Sequence, residues 1–337
     1  MEFISPGARQ YKANLHSHSN LSDGSLTPEE LIRAYREQGY SILAITDHEA
    51  SYDHTAASGP DFLLVTGYEA YIRPSPECRL DNYGPEIHLN LLAKDPHNTT
   101  LIGFDPKFCK YMPPGEAARR EKAGDLGPRR YTREYIQAFI DQARESGYLV
   151  TYNHPCWSME RQEDILAYSG CFSLEIFNTG SMMISGAEDN VILYDRMLRM
   201  GKRLYVHGAD DNHNHQPFGS PLCDSFGAWT MVLAEELSYP AVIRALEEGR
   251  FYASTGPAFT RLAFQGRNVS MEFSGARRAI MHMSPKWAVN LCARAGEPFD
   301  RAEFAIPDQA PYVYFSLLSG DGRRAVTRAF TREELGI

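Results

Sequence analysis

Residues 14–30 read NLHSHSNLSDGSLTPEE, and two of the histidines in this chain stand there between a short apolar run and a helix signal. His16 and His18 are separated by one residue, and Asp23 and Gly24 follow closely. Residues i and i+2 of a strand point to the same face, so both imidazoles can reach one metal ion. Taken alone, the pattern fits a metal-binding strand end and a polar loop equally well.

A helix signal follows this stretch directly. Thr27 is suited to the N-cap, Pro28 to the first helical position, and Glu30 completes a capping box. Gly39 then ends the predicted helix. A strand, a polar loop and a helix therefore follow one another near the start of the chain.

The same order recurs along the chain. Helical spacing of apolar residues predicts further helices at 132–146, 189–200 and about 238–249. The strand-like runs, several of them ending in polar residues, are SILAITDHE, FLLVTGYEA, IHLNLLAKD, YLVTYNHP, SLEIFN and RLYVHGADDNH. This alternation predicts an α/β fold with a parallel sheet, and polar carboxyl ends on many strands favour a (β/α) barrel over an open doubly wound sheet.

Two regions depart from the alternation. Residues 95–131 have poor periodicity and many proline, glycine and charged residues, which predicts an insertion that acts as a lid or rim. After residue 257 the helical signals fade and short strand-like segments with turns follow. We therefore predict a main domain at 1–257 and a small β-rich region at 258–337.

Charge and composition narrow the functional classes. The formal charge of −9 argues against a general nucleic-acid or anionic-membrane surface. No apolar run is long enough to span a bilayer, and the N-terminus lacks the apolar core of a signal peptide. Six scattered cysteines without a CxxC pair indicate reduced, mostly buried thiols. These features predict a cytoplasmic protein.

Histidines and acids recur at the apparent strand ends. A single one of them is usually a hydrogen-bonded core residue or a solvated loop residue, but their joint occurrence predicts a polynuclear metal site, because buried imidazole and carboxylate groups are costly without partners. Imidazole and carboxylate ligands suit Zn, Mn or Fe. The nine candidates are His16, His18, Asp23, His48, Glu69, His88, His154, Asp211 and His213.

Weaker candidates surround this set. Asp47 is interpreted as a residue that orients His48, and Asp210 as a group behind Asp211. Asn153 is a candidate substrate contact, although it fits a loop position equally well. Phosphate recognition calls for a cation, and the candidates for the mouth of the site are Arg73, Lys94, Arg129 and Arg130.

The ordered motifs HSHSNLSDG, AITDHE, GYEA, HLNLLAKD, YNHP and DDNH resemble those of the PHP (polymerase and histidinol phosphatase) domain family. The resemblance covers about residues 11–257 and is strongest to stand-alone PHP phosphoesterases, including relatives of carbaryl-hydrolase-like metallohydrolases. It implies a distorted (β/α)7 TIM-like barrel that holds two or three divalent metal ions.

The resemblance also implies which side chains share an ion. The first set is His16, His18, Glu69 and Asp211. The second set is Glu69, as a bridge, with His88 and His154. The third set is Asp23, His48 and His213. The family carries histidine or aspartate at the position of Asp23.

This assignment predicts a metal-dependent phosphoesterase that cleaves a small phosphorylated substrate, such as a nucleotide or sugar phosphate. The nucleophile would be a hydroxide that bridges two ions, with Glu69, Asp211 and His213 as the catalytic residues. One alternative is hydrolysis of a carbamate, ester or amide at the same site, and another is a non-catalytic PHP module. A polynucleotide nuclease is disfavoured because no basic stripe is present.

Overall fold

Strands and helices are interleaved up to residue 257, as the sequence predicts. The structure is a computed structural model that describes residues 1–74, 84–186, 190–284, 286–294 and 297–337. The strands of this part are β1 (Glu2–Ile4), β2 (Tyr11–Asn14), β3 (Ile42–Ile45), β4 (Leu63–Ile72), β5 (Ile87–Ala93), β6 (Leu101–Ile102), β7 (Lys122–Ala123), β8 (Tyr148–Tyr152), β9 (Ser173–Asn178), β10 (Tyr205–Ala209), β11 (Trp229–Val232) and β12 (Phe251–Ser254). The helices are α1 (Pro28–Glu37), α2 (Pro114–Arg119), α3 (Arg133–Glu145), α4 (Gln162–Ile165), α5 (Thr179–Ser185), α6 (Val191–Arg199) and α7 (Tyr239–Glu247). Among the described residues, β4, β5 and β6 follow one another without a helix between them.

The helix at the first motif begins as its sequence predicts. The Thr27 side chain accepts a hydrogen bond from the Glu30 amide, and the Glu30 carboxylate accepts one from the Thr27 amide. The helices expected near 132–146, 189–200 and 238–249 are found as α3, α6 and α7. Local capping and apolar spacing were sufficient to predict them.

The last eighty residues are mainly β-structure, as expected. Their elements are β13 (Ala258–Gln265), β14 (Asn268–Ser274), β15 (Arg278–Ser284), β16 (Trp287–Cys292), β17 (Arg301–Ala305), β18 (Tyr312–Leu318), β19 (Arg324–Thr327), β20 (Phe330–Thr331) and α8 (Arg332–Leu335).

One large sheet runs through both parts of the chain. Its strand order is β10-β9-β8-β5-β4-β3-β2-β11-β12-β19-β18-β15-β16. A second sheet has the order β1-β13-β14-β17, so that the first strand of the chain pairs with the C-terminal region. The two regions therefore share hydrogen-bonded strands at β12–β19 and β1–β13.

The expectation of a parallel sheet is only partly correct. Strands β2, β3 and β4 are mutually parallel, and so are β8, β9 and β10. Strand β5 is antiparallel to both of its neighbours, β4 and β8. Consequently the end of the sheet that carries polar residues receives the start of β5 rather than its end, and His88 is the second residue of that strand.

The chain segments that follow β2 and β10 meet at this same end. The His18 amide donates to the Asn212 carbonyl over 3.0 Å, and the Asp211 amide donates to the His16 carbonyl over 2.9 Å. These two hydrogen bonds join the segments that carry the first and the last histidine motifs.

The remaining expectations about the chain have mixed outcomes. The described cysteines form no disulfide, but Cys109 alone among them is buried, so that the prediction of mostly buried thiols is wrong; Cys78 lies outside the described residues. Within the described parts of the chain, every helix is too short or too polar to cross a bilayer.

Candidate metal centre

The nine predicted side chains lie together at one end of the large sheet. Seven of them line an open cavity of about 470 Å³: Asp23, His48, Glu69, His88, His154, Asp211 and His213. His16 and His18 are fully buried beside them.

A tight turn brings Asp23 to the cluster. The Gly24 amide donates to the Ser19 carbonyl over 2.9 Å, and a Cβ atom at Gly24 would lie 2.3 Å from the carbonyl oxygen of His18. Any larger residue at position 24 would force this loop apart. Glycine therefore permits the chain to fold back so that Asp23 faces His18.

Asp211 is held in an unusual backbone conformation. Its φ of 52° lies in the left-handed region, which residues other than glycine rarely adopt. Such strain persists where the surrounding structure fixes it, and it concentrates at functional sites. Here the hydrogen bond from the Asp211 amide to His16 holds the carboxylate against the histidines.

The first group of ligand atoms matches the first implied set. His16 Nε2 lies 3.1 Å from Glu69 Oε1 and 3.1 Å from Asp211 Oδ1. His18 Nε2 lies 3.0 Å from Asp211 Oδ1 and 3.4 Å from Glu69 Oε2. These four side chains form one group of ligand atoms close enough to share an ion.

Glu69 is also central to the second group. Its carboxylate lies 3.1 Å from His88 Nδ1, 3.0 Å from His48 Nδ1 and 3.3 Å from His154 Nε2. The second implied set contained His88 and His154 but not His48. The structure thus brings one further histidine to this carboxylate.

The third group surrounds Asp23. Its carboxylate lies 3.5 Å from His48 Nε2, 3.5 Å from His213 Nε2 and 3.7 Å from His18 Nδ1. The third implied set lacked His18, whose two ring nitrogens face two different groups. His18 and His48 therefore connect neighbouring positions of the cluster.

Unsatisfied polar atoms make the cluster suited to binding cations. His18 Nδ1, His48 Nδ1, His88 Nδ1 and Glu69 Oε2 are buried, and the close contacts of these nitrogens with carboxylate oxygens lack the geometry of a hydrogen bond. Leaving such atoms buried without a partner costs free energy. Divalent ions would satisfy them, and imidazole with carboxylate suits Zn, Mn or Fe. The residues present therefore fit a metal site.

Electrostatics within the cluster keep its acids ionised. Burial alone would raise the pKa of Glu69, but the surrounding histidines, His16 first among them, bring that pKa well below its usual value. The pKa of Asp211 is lowered well below its usual value in the same way, against the effect of its burial. Both carboxylates are thus available to a cation.

The sequence analysis missed Glu175, which supports two of the histidines. Its carboxylate lies 3.0 Å from His16 Nδ1 and accepts hydrogen bonds from the His154 amide at 2.9 Å and from Asn178 Nδ2 at 2.8 Å. It is fully buried, and its position also allows it to share an ion with His16 and His154. The available signal was an acid in the middle of the apolar run SLEIFN.

The weaker candidates Asp47 and Asn153 contact different parts of the site. Asp47 accepts hydrogen bonds from the Ser19 amide, the Ser19 hydroxyl and the Ser22 hydroxyl, which fixes the loop before Asp23. Asp47 therefore organises this loop. Asn153 donates to Glu69 Oε1 over 2.7 Å.

Asp210 points away from the cluster. It accepts hydrogen bonds from the Tyr35 hydroxyl, the Thr179 hydroxyl and the amides of Phe226, Gly227 and Ala228. Its carboxylate is thereby fully used in holding α1, α5 and the segment before β11 together. Asp211 supplies the carboxylate that faces the histidines.

The arginine expected at the mouth is buried instead. Arg129 forms a two-pronged ion pair with Glu49, with 2.7 Å between Nη2 and Oε2, and donates to the Tyr71 carbonyl over 2.6 Å. It ties the 95–131 insertion to the residue that follows His48, so the expectation that it lines the mouth is wrong. Arg130 is exposed and outside the cavity lining.

The mouth itself is lined mainly by other residues. Besides the cluster, its described lining consists of Trp157, Gly180, Ser181, Met183, Ile184, His215, Gln216, Leu222 and Asp224. The insertion places the ring of Tyr111 6.4 Å from that of His48. No lysine or arginine occurs among the described residues that line this cavity.

Residues 14–104 match the family model of the PHP domain. The chain is 30% identical over 145 residues to the 5'-3' exoribonuclease Rnm of Escherichia coli (strain K12), an alignment that covers 42% of this chain and 45% of that protein. It is 25% identical over 240 residues to the DNA polymerase III subunit alpha of Deinococcus radiodurans, covering 66% of this chain and 15% of that subunit. The chain thus spans less than half the length of these relatives.

A solved structure also resembles the whole chain. It is a two-domain protein from Bacteroides vulgatus that contains a predicted PHP-like metal-dependent phosphoesterase; the TM-score is 0.46 and the identity 15%, with 97% of each chain covered. The resemblance expected from the motifs is confirmed by the family match, which contains four of the histidines and two of the acids of the cluster. Residues 14–104 of this chain are therefore identified with the PHP domain.

Proposed function

We propose that this chain is a metal-dependent phosphoesterase that cleaves a small phosphorylated molecule, such as a nucleotide or a sugar phosphate. The observation that carries the proposal is the convergence of nine imidazole and carboxylate groups, four of whose atoms lack a hydrogen bond, at an open cavity. The relative named an exoribonuclease supports it, since ribonucleases cleave phosphate esters.

Two or three divalent ions, Mn, Zn or Fe, would be held by the three implied sets. The first is His16, His18, Glu69 and Asp211; the second Glu69, His88 and His154; the third Asp23, His48 and His213. Bound ions of this kind supply a water of lowered pKa and positive charge for the phosphoryl oxygens. The residues of the chain would hold the metal-binding atoms in place.

The residues that would bind the attacking water or transfer a proton lie at the edge of the cluster. His213 Nδ1 lies 3.0 Å from the carbonyl oxygen of Asp211, which orients the ring, and its Nε2 faces Asp23. His213 is partly exposed at the mouth, so it is positioned to manage the proton of a leaving oxygen. Asp211 is positioned to hold the attacking water, and Glu69 fixes the pairs of ligands around it.

The fold that carries this site is proposed to be the distorted (β/α)7 barrel of the family. The hydrogen bonds between the segments after β2 and β10 support it, because they bring the first and last strands of the β2–β10 series together. The main domain would comprise residues 1–257 and the β-rich region residues 258–337, with β1 added to the latter by its pairing.

One different reaction is favoured by a specific observation. The described cavity lining carries no lysine or arginine that could pair with a phosphate, so the same ions could instead activate water against a carbamate, ester or amide carbonyl. The net charge of −9 disfavours a stable nucleic-acid partner. A cytoplasmic protein without a membrane partner stays our expectation.

The direct test combines metal analysis with a substrate panel. Purified protein should contain Mn, Zn or Fe and hydrolyse phosphate monoesters or diesters. Turnover of carboxyl esters or carbamates alone would overturn the phosphoesterase proposal in favour of the alternative. Absence of both metal and turnover would favour the non-catalytic PHP module.

One variant tests whether Asp211 is a metal ligand or only lines the cavity. Asp211→Asn should lose bound metal and turnover together, because its oxygen lies within 3.1 Å of two histidine nitrogens. His97→Gln is the matched control, since His97 is exposed and contacts Asp53 outside the cluster. Full turnover of Asp211→Asn with all metals bound would remove this residue from the mechanism.

A further inference from the structure

Apolar side chains dominate one wall of the cavity above the metal centre. This apolar collar consists of Trp157, Met183, Ile184 and Leu222. Ile184 is 76% exposed and Leu222 is 58% exposed. Exposed apolar side chains that gather at a pocket, rather than scatter over a surface, mark a binding surface.

The collar lies close to the candidate metal ligands. The Trp157 ring lies 5.0 Å from the ring of His154 and 5.3 Å from that of His88. A group bound at the second set of ligands would therefore have an indole ring beside it. Indole offers a large apolar surface that loses little conformational entropy on binding.

Helix α5 brings the second part of the collar over the cluster. The Gly180 amide donates to the Asp210 carbonyl over 2.7 Å, and a Cβ atom at Gly180 would lie 2.6 Å from the carbonyl oxygen of Asp211. Only glycine allows this close approach. The helix therefore starts in contact with the ligand-bearing segment and carries Met183 and Ile184 along the cavity wall.

The charged groups of the lining do not suit a polyanionic substrate. Its described charged residues are acids and histidines, and most of them belong to the cluster. The additional acid, Asp224, already accepts hydrogen bonds from the amides of His213 and Asn214. Beyond the metal centre, a second phosphate would meet no cation on this described surface.

We propose that the substrate is a monoester whose alcohol or phenol part is uncharged and apolar, and that this part rests on the collar. The inference rests on the proposed phosphoesterase function and narrows it. A cavity of about 470 Å³ fits a phosphoryl group with one such moiety of modest size. In the reaction, the oxygen of water bonds to phosphorus, the bond from phosphorus to the ester oxygen breaks, and the departing alkoxide takes up a proton.

The test compares benzyl phosphate with glucose 6-phosphate in the metal-loaded protein. Both are esters of primary alcohols, so their leaving groups have similar intrinsic reactivity while their polarity differs. We expect kcat/KM to be at least about tenfold higher for benzyl phosphate, the order of discrimination that an apolar pocket provides. Calorimetric binding of benzylphosphonate, which cannot be hydrolysed, gives a readout independent of turnover.

A pair of variants assigns the preference to the collar. Ile184→Ser combined with Leu222→Ser should raise KM for benzyl phosphate, weaken benzylphosphonate binding and thereby lower the ratio of kcat/KM for benzyl phosphate to that for glucose 6-phosphate. Ile192→Ser is the matched control, because Ile192 is an exposed isoleucine of α6 outside the cavity lining.

The outcomes distinguish this inference from the function on which it rests. Equal efficiency on both esters, preference for glucose 6-phosphate, or an unchanged ratio in the double variant would overturn the inference and leave a phosphoesterase. Cleavage of neither ester by the metal-loaded protein would overturn the phosphoesterase proposal itself.

Discussion

Two cavities lie at opposite ends of the strands β8, β9 and β10, and the larger one is not the one that resembles an active site. The cavity beside the first residues of these strands measures about 760 Å³, against about 470 Å³ above the metal centre. Its lining includes the basic residues Lys94, Arg144, Lys202, Arg203 and Arg328. Size and positive charge alone would favour it as an anion site.

The difference lies in how polar atoms are satisfied. In the larger cavity Lys94 pairs with Glu247 at 2.7 Å, and Lys202 donates to the carbonyls of Ala167 and Tyr168. Arg328 pairs with Glu334 through its two terminal nitrogens, although its Nε is buried without a hydrogen bond. At the metal centre, by contrast, buried nitrogen and oxygen atoms converge without hydrogen bonds. Buried polar atoms that converge without hydrogen bonds, rather than the volume of a cavity, therefore indicate which of the two sites is suited to a ligand.

The largest effect is expected from the carboxylate at the centre of the cluster. Glu69→Gln removes a charge that lies within 3.4 Å of five histidines, so bound metal should fall and turnover should drop by more than about 100-fold, beyond the loss typical of an outer partner. Addition of metal should raise the Tm of the wild type but not that of the variant, as thermal unfolding would measure.

Glu333→Gln is the matched control for Glu69→Gln at the other cavity. Glu333 pairs with Arg203 on the surface, and both side chains are largely exposed. Metal content and turnover should be unchanged. If Glu69→Gln instead kept its metals and its rate, the conclusion that the smaller cavity is the metal-binding and catalytic one would be wrong.

The buried ion pair beside the metal centre should dominate stability. Glu49 and Arg129 are 2% and 0% exposed, and Glu49→Gln leaves the guanidinium buried without a counter-charge. We expect a loss of about 3–5 kcal/mol in the free energy of unfolding. Denaturant unfolding of the metal-free protein measures it, and a loss below 1 kcal/mol would show that water or relaxation replaces the pair.

Glu175 should tune the metal centre without holding the protein together. Glu175→Gln keeps the hydrogen bonds from the His154 amide but weakens the orientation of His16, whose Nδ1 lies 3.0 Å away. Metal affinity should fall about 10- to 100-fold, as for outer partners of ligating histidines. Competition with a chelator measures the affinity; Ser181→Ala, a change in a residue that lines the cavity without contacting a ligand, should leave it unchanged.

One histidine outside the cluster, His282, should make the free energy of unfolding depend on pH. Burial, helped by the charge of Arg324, lowers the pKa of His282 to about 4, while its Nε2 lies 2.9 Å from the hydroxyl of Ser316. Because the folded pKa lies below the unfolded value of about 6.5, His282 contributes stability above pH 6.5 that is lost as the pH falls towards 4.

His282→Asn should therefore flatten the stability profile between pH 6.5 and 4. The wild type should lose about 1 kcal/mol more than the variant between pH 7 and pH 5.5. Urea unfolding at the two pH values measures this difference. An identical slope in both proteins would show that His282 is protonated in the folded state without penalty.

The nine side chains of the cluster could be picked out from the sequence because they recur in local patterns. His16 and His18 alternate with the period of a strand, and the capping box of α1 is complete within four residues. Glu175 and the Glu49–Arg129 pair were missed or misplaced because their contacts join residues 159 and 80 positions apart. The antiparallel direction of β5 was likewise hidden, since apolar periodicity is the same in either direction.

The smallest effect is expected from a substitution at the larger cavity. A larger effect there would contradict most directly the difference between the two cavities. Lys94 and Glu247 are 44% and 41% exposed, so solvent screens their attraction. Glu247→Gln should change the free energy of unfolding by no more than about 1 kcal/mol and leave metal content and turnover unaltered. A clear loss of turnover in this variant would mean that the two ends of the strands are functionally coupled, and that a cavity whose charges are already paired still acts on the chemistry at the other end.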